Sequence, residues 1–167
     1  MKVLVTGGAG YIGSHTAVEL IEAGYETVIV DDLSNAKEDV IDRIEAITGK
    51  RPVFYKEDCK DKEAMRKIFS ENKIDAIIHF AAYKAVGESV QKPLEYYRNN
   101  LDSTLTLMEV MEEFGCKKFV FSASATVYGP NNPYPYKEDM KAIESTSPYG
   151  WTKVMIERIL TDYVTAH

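Results

Sequence analysis

Short apolar runs alternate along this chain with longer stretches of helical periodicity. The runs are Lys2–Thr6, Glu26–Asp31, Pro52–Lys56, Ala76–Phe80 and Lys118–Ser122, each five or six residues long and without strict polar alternation. A parallel strand covered by helices on both faces reads this way. Between and after them the pattern predicts helices at Ile12–Ala23, Glu38–Thr48, Asp61–Asn72, Pro93–Phe114 and Pro148–Thr165. Val40, Ile41, Ile44 and Ile47 recur at helical spacing, as do Leu94, Tyr97, Leu101, Leu105 and Met108. Pro93 and Pro148 suit first helical positions, where a missing N–H costs nothing. The stretch Tyr128–Thr146 holds Pro130, Pro133 and Pro135 and reads as a long loop. Strand and helix alternating at this spacing imply right-handed βαβ units. The expected fold is therefore α/β, a Rossmann-type doubly wound parallel sheet.

The first run leads into Thr6-Gly7-Gly8-Ala9-Gly10-Tyr11-Ile12-Gly13. Gly8, Gly10 and Gly13 satisfy G-x-G-x-x-G; Gly7, Gly10 and Gly13 satisfy G-x-x-G-x-x-G. The strand before and the helix after supply the context that a dinucleotide fingerprint requires. Such glycines allow a tight turn, a close approach to pyrophosphate and close helix–strand packing. The second run ends at Asp31, where a carboxylate can accept both adenosine ribose hydroxyls and repel a 2′-phosphate. Asp32, Leu33, Ser34 and Asn35 follow without an arginine, so NAD is expected rather than NADP.

Tyr149 and Lys153 lie four apart at the start of the last helix and share one face. They follow the fifth strand, which ends near Ser122 and Ser124, and ligands of such sheets bind beyond the carboxyl ends of strands. A free tyrosine titrates at about 10, so a tyrosine base at neutral pH needs cations nearby. One lysine supplies part of that help and an oxidised nicotinamide the rest.

Composition narrows the class. Twenty basic against 26 acidic residues give a net charge of −6, which disfavours nonspecific nucleic-acid binding. No apolar run approaches the roughly 18 residues of a membrane span, and the N-terminus does not read as a signal peptide. Cys59 and Cys116 form neither a disulfide framework nor a metal spacing, so two thiols in a cytoplasmic protein are expected and no metal. The length suits one domain. Yet the chain ends on Thr161-Asp162-Tyr163-Val164-Thr165-Ala166-His167 with no helix stop. A sheet ordered 3-2-1-4-5-6 is thus expected to be truncated after its fifth strand. That leaves Lys118–Ser122 as an exposed apolar edge, and self-association is expected through it or through the last two helices.

Several residues have simpler readings. His15 suits packing or capping, and His79 a satisfied core histidine. Asp58 suits an acceptor for the adenine amino group or a loop-turn aspartate. Tyr96 and Tyr97 suit core or interface. Glu112, Glu113, Lys117 and Lys118 read as solvated charges.

The sequence resembles the extended short-chain dehydrogenase/reductase family, and within it the branch that epimerises UDP-hexoses. The resemblance rests on Val5–His15, Phe80–Ser89, Tyr97–Asn100, Ser122–Gly129 and Ser147–Gly150, with Tyr149 and Lys153. It covers all 167 residues but only the N-terminal half of such an enzyme. It implies NAD-dependent inversion at C4 of a UDP-hexose (UDP-glucose/UDP-galactose) through a 4-keto sugar. Tyr149 is the implied base; Lys153 binds the nicotinamide ribose, and Ser124 bonds the sugar oxygen. The implied NAD site comprises Gly7, Gly10, Tyr11, Ile12, Gly13, Asp31 to Asn35, Asp58, Cys59 (packed on adenine), Phe80, Ala81, Ala82, Tyr83, Lys84, Asn99 and Ser122. Lys84, Ala85, Val86 and Thr126 lie on the implied substrate side. The resemblance also implies that the helices Pro93–Phe114 and Pro148–Thr165 make a dimer contact, and that a later half builds most of the sugar and uridine pocket. Ala123 stands where a second serine is common, and Ala82-Tyr83 where many relatives have Gly-Leu. Dehydratases of the family carry Asp-Glu where this chain has Ala125-Thr126, which disfavours dehydration. A non-catalytic NAD-binding module and another NAD-dependent sugar-nucleotide enzyme (dehydratase, decarboxylase) remain alternatives.

Overall fold

The structure is a computed structural model that describes residues 1–166; His167 lies outside the described residues. Among the described residues there are five strands, β1 (Lys2–Thr6), β2 (Glu26–Val30), β3 (Val53–Tyr55), β4 (Ala76–His79) and β5 (Phe119–Phe121). Six helices accompany them among the same residues: α1 (Tyr11–Glu22), α2 (Asp39–Thr48), α3 (Lys62–Glu71), α4 (Val86–Gln91), α5 (Pro93–Phe114) and α6 (Pro148–Ala166). All five apolar runs become strands, four of them trimmed at one or both ends. All five expected helices form, and both prolines open theirs. The six-residue α4 and a 3-10 turn at Ala125–Val127 are additions that the periodicity does not predict.

The chain divides into two compact units. The first comprises Met1–Ala82 and Ser103–Ser122 and contains the whole sheet. Its strands run parallel in the order β3-β2-β1-β4-β5. Connections lead outward in opposite directions from β1 and β4, so the switch point lies between those two strands. The pleat sends alternate residues to opposite faces. Leu4, Val28, Val30 and Ile77 join Met65, Ile68 and Phe69 of α3 and Leu107, Val110 and Met111 of α5 in one core. Ile29 on the other face packs with Ala17 and Ile21 of α1 and Ile41 and Ile44 of α2. Asp61 caps α3, its Oδ1 accepting from the N–H groups of Glu63 at 3.0 Å and Ala64 at 3.1 Å.

One expectation needs correction here, for Glu113, and the packing of α5 adds a detail that helical spacing does not give. Leu94 is 78% exposed and Leu105 41%, whereas Tyr96, Asn100, Ser103, Thr104, Leu107 and Met111 are buried. Polar side chains with satisfied hydrogen bonds fill the face that apolar periodicity assigned elsewhere. Glu113 is not a merely solvated charge. It takes Arg66 Nε at 2.7 Å and Lys62 Nζ at 3.2 Å, and Arg66 holds its carboxyl down at about 2.

The second unit comprises Tyr83–Asp102 and the chain from Ala123 onward. It contains α4, the first turns of α5, the 3-10 turn and α6. Residues 128–146 are irregular apart from a bridge between Tyr128 and Glu144. The ring of Tyr136 stacks on that of Tyr128 at 4.9 Å and lies tilted against that of Tyr134 at 4.8 Å. Among the described residues, no helix is long and apolar enough to cross a membrane.

Candidate active site

In the first unit the glycine loop joins β1 to α1 at the carboxyl edge of the sheet. Gly7 has φ of 66°, and its N–H donates to the Val30 carbonyl at 2.8 Å. A Cβ at Gly7 would stand 2.7 Å from the Ala81 nitrogen, and one at Gly13 would stand 2.2 Å from the Gly7 carbonyl oxygen. Backbone therefore occupies the space that side chains would need. Gly10 precedes α1 in an extended conformation, with only the Gly7 oxygen, at 3.2 Å, near the place of its missing Cβ. This open, Cβ-free approach to a helix N-terminus suits an anion. Tyr11 and Ile12 open α1 and are 76% and 55% exposed, available to a ligand.

Asp31 follows β2 and is buried. Its Oδ2 accepts from the Ala9 N–H at 3.0 Å and its Oδ1 from the Leu33 N–H at 2.9 Å. Burial pushes the carboxyl above its ordinary value, and these backbone donors pull it back. Beyond it, Leu33 takes a left-handed φ of 60°, and Asp32 Oδ1 accepts from both the N–H and the hydroxyl of Ser34. Asn35 is exposed. Asp58 Oδ1 accepts from the Lys60 N–H at 2.9 Å, and Oδ2 lies 3.3 Å from Lys60 Nζ. A turn-forming role is therefore present in the structure itself. Cys59 belongs to the large core, where burial pushes its thiol up and keeps it unreactive. After β4, Phe80, Ala81 and Ala82 are half-buried; Ser122 after β5 donates its N–H to the His79 carbonyl at 3.2 Å.

His79 behaves as a core histidine. It is 2% exposed, with Nδ1 2.6 Å from Thr6 Oγ1 and Nε2 3.2 Å from Thr104 Oγ1. His15 is exposed on α1, its Nδ1 2.7 Å from the Tyr11 carbonyl and its ring against that of Tyr11.

The second unit carries the candidate acid–base residues. Ser147 caps α6, accepting from the Gly150 N–H at 3.1 Å, with Pro148 next. Tyr149 and Lys153 then share one face, Nζ lying 5.9 Å from the tyrosine ring centroid. Lys153 is 4% exposed, and burial pushes its ammonium down to about 8 against the pull of Glu157. Gly150 lets α6 approach the 3-10 turn: a Cβ there would stand 1.8 Å from Ser145 Oγ and 3.0 Å from Thr126 Oγ1. Ser124 opens that turn. Its Oγ accepts from the Thr126 N–H at 3.3 Å and the Thr126 hydroxyl at 3.0 Å. Lys84, Ala85 and Val86 are exposed around the start of α4, and Asn99 Nδ2 donates to Asn100 Oδ1 at 3.2 Å.

Sequence reasoning assigned no role to Asn100, which is fully buried. Its Oδ1 accepts from the Tyr83 N–H at 2.8 Å; its Nδ2 donates to the Tyr83 carbonyl and to Thr152 Oγ1, each at 3.0 Å. Thr152 in turn donates to the Tyr149 carbonyl at 2.6 Å. Asn100 thus ties the segment after β4 to the turn of α6 that bears Tyr149. A mid-helix asparagine carries no periodicity signal that announces this. The N-cap at Ser147, by contrast, is legible as a serine before Pro148.

Comparison with known proteins decides the family. The model of the NAD dependent epimerase/dehydratase family matches residues 3–167. The chain belongs to that family. It is 55% identical over 166 residues to the UDP-glucose 4-epimerase of Bacillus subtilis, covering 99% of this chain and 49% of that protein. It is 52% identical to that of Erwinia amylovora, covering 100% and 50%. Among solved structures, UDP-glucose 4-epimerase from Bifidobacterium longum in complex with NAD+ and UDP superposes with a TM-score of 0.98, at 48% identity over 99% of this chain and 50% of that one. The enzyme from Stenotrophomonas maltophila with bound NAD and formylated UDP-arabinopyranose gives 0.96, at 45% identity over 100% and 50%. The chain spans about half the length of the curated relatives it matches. NAD, the cofactor read from Asp31 and the glycine loop, is the one for which the family is named.

Proposed function

We propose that this chain carries the cofactor-binding and acid–base residues of an NAD-dependent 4-epimerase acting on a UDP-hexose, UDP-glucose or UDP-galactose. The observation that carries the reading is Tyr149 and Lys153 on one face of α6, packed through Gly150 close to the turn of Ser124 and Thr126. The glycine loop, with no side chain in the way, fits a pyrophosphate. In this reading Gly7, Gly10 and Gly13 admit it to the start of α1, and Tyr11 and Ile12 border it. Asp31 binds the adenosine ribose, flanked by Asp32, Leu33, Ser34 and Asn35. Asp58 and Cys59 lie at the adenine end; Phe80, Ala81, Ala82, Lys84, Asn99 and Ser122 complete the cofactor contacts. NAD, when bound, supplies a hydride acceptor for C4 and, once the keto sugar has turned, a hydride donor to its other face.

The protein's own residues handle the proton. Tyr149 takes it from the sugar 4-hydroxyl and returns it to the inverted product. Lys153 holds the nicotinamide ribose, and its positive charge favours the tyrosinate. Ser124, which accepts from the Thr126 N–H, bonds the sugar 4-oxygen through its hydroxyl. Lys84, Ala85, Val86 and Thr126 border the sugar nucleotide. Thr126 has no carboxyl with which to drive elimination of water, so inversion without dehydration follows. The free buried thiols of Cys59 and Cys116 support a cytoplasmic setting.

The test is conversion of UDP-galactose to UDP-glucose by the purified chain with NAD, alongside Tyr149→Phe. Turnover by the parent and a loss of about 10²–10⁴-fold in the variant is the expected result. Equal rates in the two proteins would refute the role of Tyr149; no conversion by an NAD-bound parent would refute turnover by this chain.

A further inference from the structure

Two buried side chains of α5, one helical turn apart, hold the segment Tyr83–Ser89. All of these residues lie in the second unit. Asn100 grips the Tyr83 backbone at both its N–H and its carbonyl. Tyr96, 1% exposed, sets its ring edge-on to that of Tyr83 at 5.5 Å between centroids. The Tyr96 hydroxyl then donates to Glu88 Oε2 at 2.7 Å. Inside the segment, the buried Ser89 hydroxyl donates to the Val86 carbonyl at 2.6 Å.

These bonds are needed for a physical reason. A six-residue helix containing Gly87 does not persist in water by itself, so its geometry is imposed from outside. Lys84, Ala85 and Val86 lie between the anchors at Tyr83 and Glu88 and are exposed. Glu88 also meets Lys92 Nζ at 3.2 Å, and with Tyr96 first and Lys92 second its carboxyl is held below its ordinary value. The anchor is therefore a charge-assisted hydrogen bond.

We propose that the Tyr96–Glu88 hydrogen bond is a positioning device that presents Lys84–Val86, already ordered, to the sugar nucleotide. The proposal rests on the reading above that these three residues border the substrate. Tyr96 touches no substrate; it acts through Tyr83 and Glu88. Ordering a segment in advance lowers the cost of binding. Loss of the anchor therefore appears chiefly in affinity for the UDP moiety and in KM, with a smaller loss for NAD, which Lys84 also borders.

Hydrogen–deuterium exchange of residues 84–91 in the full chain tests this with Tyr96→Phe, Glu88→Ala and Glu88→Gln. Tyr96→Phe and Glu88→Ala should exchange roughly tenfold faster there. Glu88→Gln should change less, because its amide oxygen still accepts from the phenol. Calorimetry with UDP on the same proteins should show a matching loss of affinity, larger than any loss for NAD. Unchanged exchange in both Tyr96→Phe and Glu88→Ala would overturn the proposal, as would faster exchange with unaltered UDP affinity. Glu88 is exposed, so its variants keep the test open should Tyr96→Phe fail to fold. A parent chain that binds no UDP refutes the substrate part of the proposal, and the exchange result then decides the anchor alone.

Discussion

Lys153 is the residue whose structure and chemistry pull hardest against each other. Its ammonium is buried, and burial pushes it down to about 8. In the unfolded chain it titrates near its ordinary value of about 10.4. Between those two values the unfolded state holds the extra proton, so this lysine makes stability rise with pH across that window. Below about pH 8 the cost of burying the charge is fully present. Lys153→Met should therefore raise the thermal midpoint at pH 7 by a few degrees, at about 2–4 °C per kcal/mol, and flatten the rise between pH 8 and 10. The same variant should lose NAD-dependent turnover. A lower midpoint at pH 7 would show that the ammonium supports the fold rather than straining it. Such an exchange of stability for function is expected where a charge is kept for chemistry.

At the scale of elements, α6 depends on how closely its first turn approaches the 3-10 turn. Gly150→Ala places a methyl group where Ser145 already stands. It should cost about 1–3 kcal/mol in urea unfolding and lower turnover by moving Tyr149. Full activity with parental stability would contradict that packing. Elements also show what is legible in the sequence. The five strands are legible because short apolar runs punctuated by glycine and charge fit buried parallel strands better than any helix. The long helices are legible because 3.6-residue periodicity accumulates over several turns. Helix α4 is not, since Val86-Gly87-Glu88-Ser89-Val90-Gln91 is short, holds a glycine and is shaped by Tyr96 from elsewhere in the chain. The buried face of α5 escapes periodicity for a related reason: Asn100, Ser103 and Thr104 are buried through specific hydrogen bonds and small size, which hydropathy scores as solvent-facing. The fingerprint glycines, Asp31, Ser124, Tyr149 and Lys153 stand out because each sits at a recognisable spacing from a strand or helix end. Asn100 and Tyr96 do not, because their importance lies in what they touch.

At the scale of the whole molecule, β5 ends the sheet, and Val120 on it is 58% exposed. Apolar side chains also face outward on α5 and α6, with Leu94 at 78% and Trp151 at 36%. We propose that residues 1–167 form the NAD-binding part of an epimerase and that the chain self-associates through these surfaces. Light scattering at tens of micromolar, roughly the range in which weak association shows, should give a mass above that of one chain; a clean monomer would contradict it.

The central claim is that these residues form a cofactor site that reads NAD through Asp31. Calorimetric titration of the purified chain with NAD and then with NADP tests it most directly. A carboxylate beside the ribose, with no arginine in Asp32–Asn35, should repel a 2′-phosphate by several kcal/mol. The expected result is saturable NAD binding and at least about 100-fold weaker NADP binding, with the gap narrowed in Asp31→Ala. Equal affinity for the two cofactors, or no binding of NAD, would contradict the account.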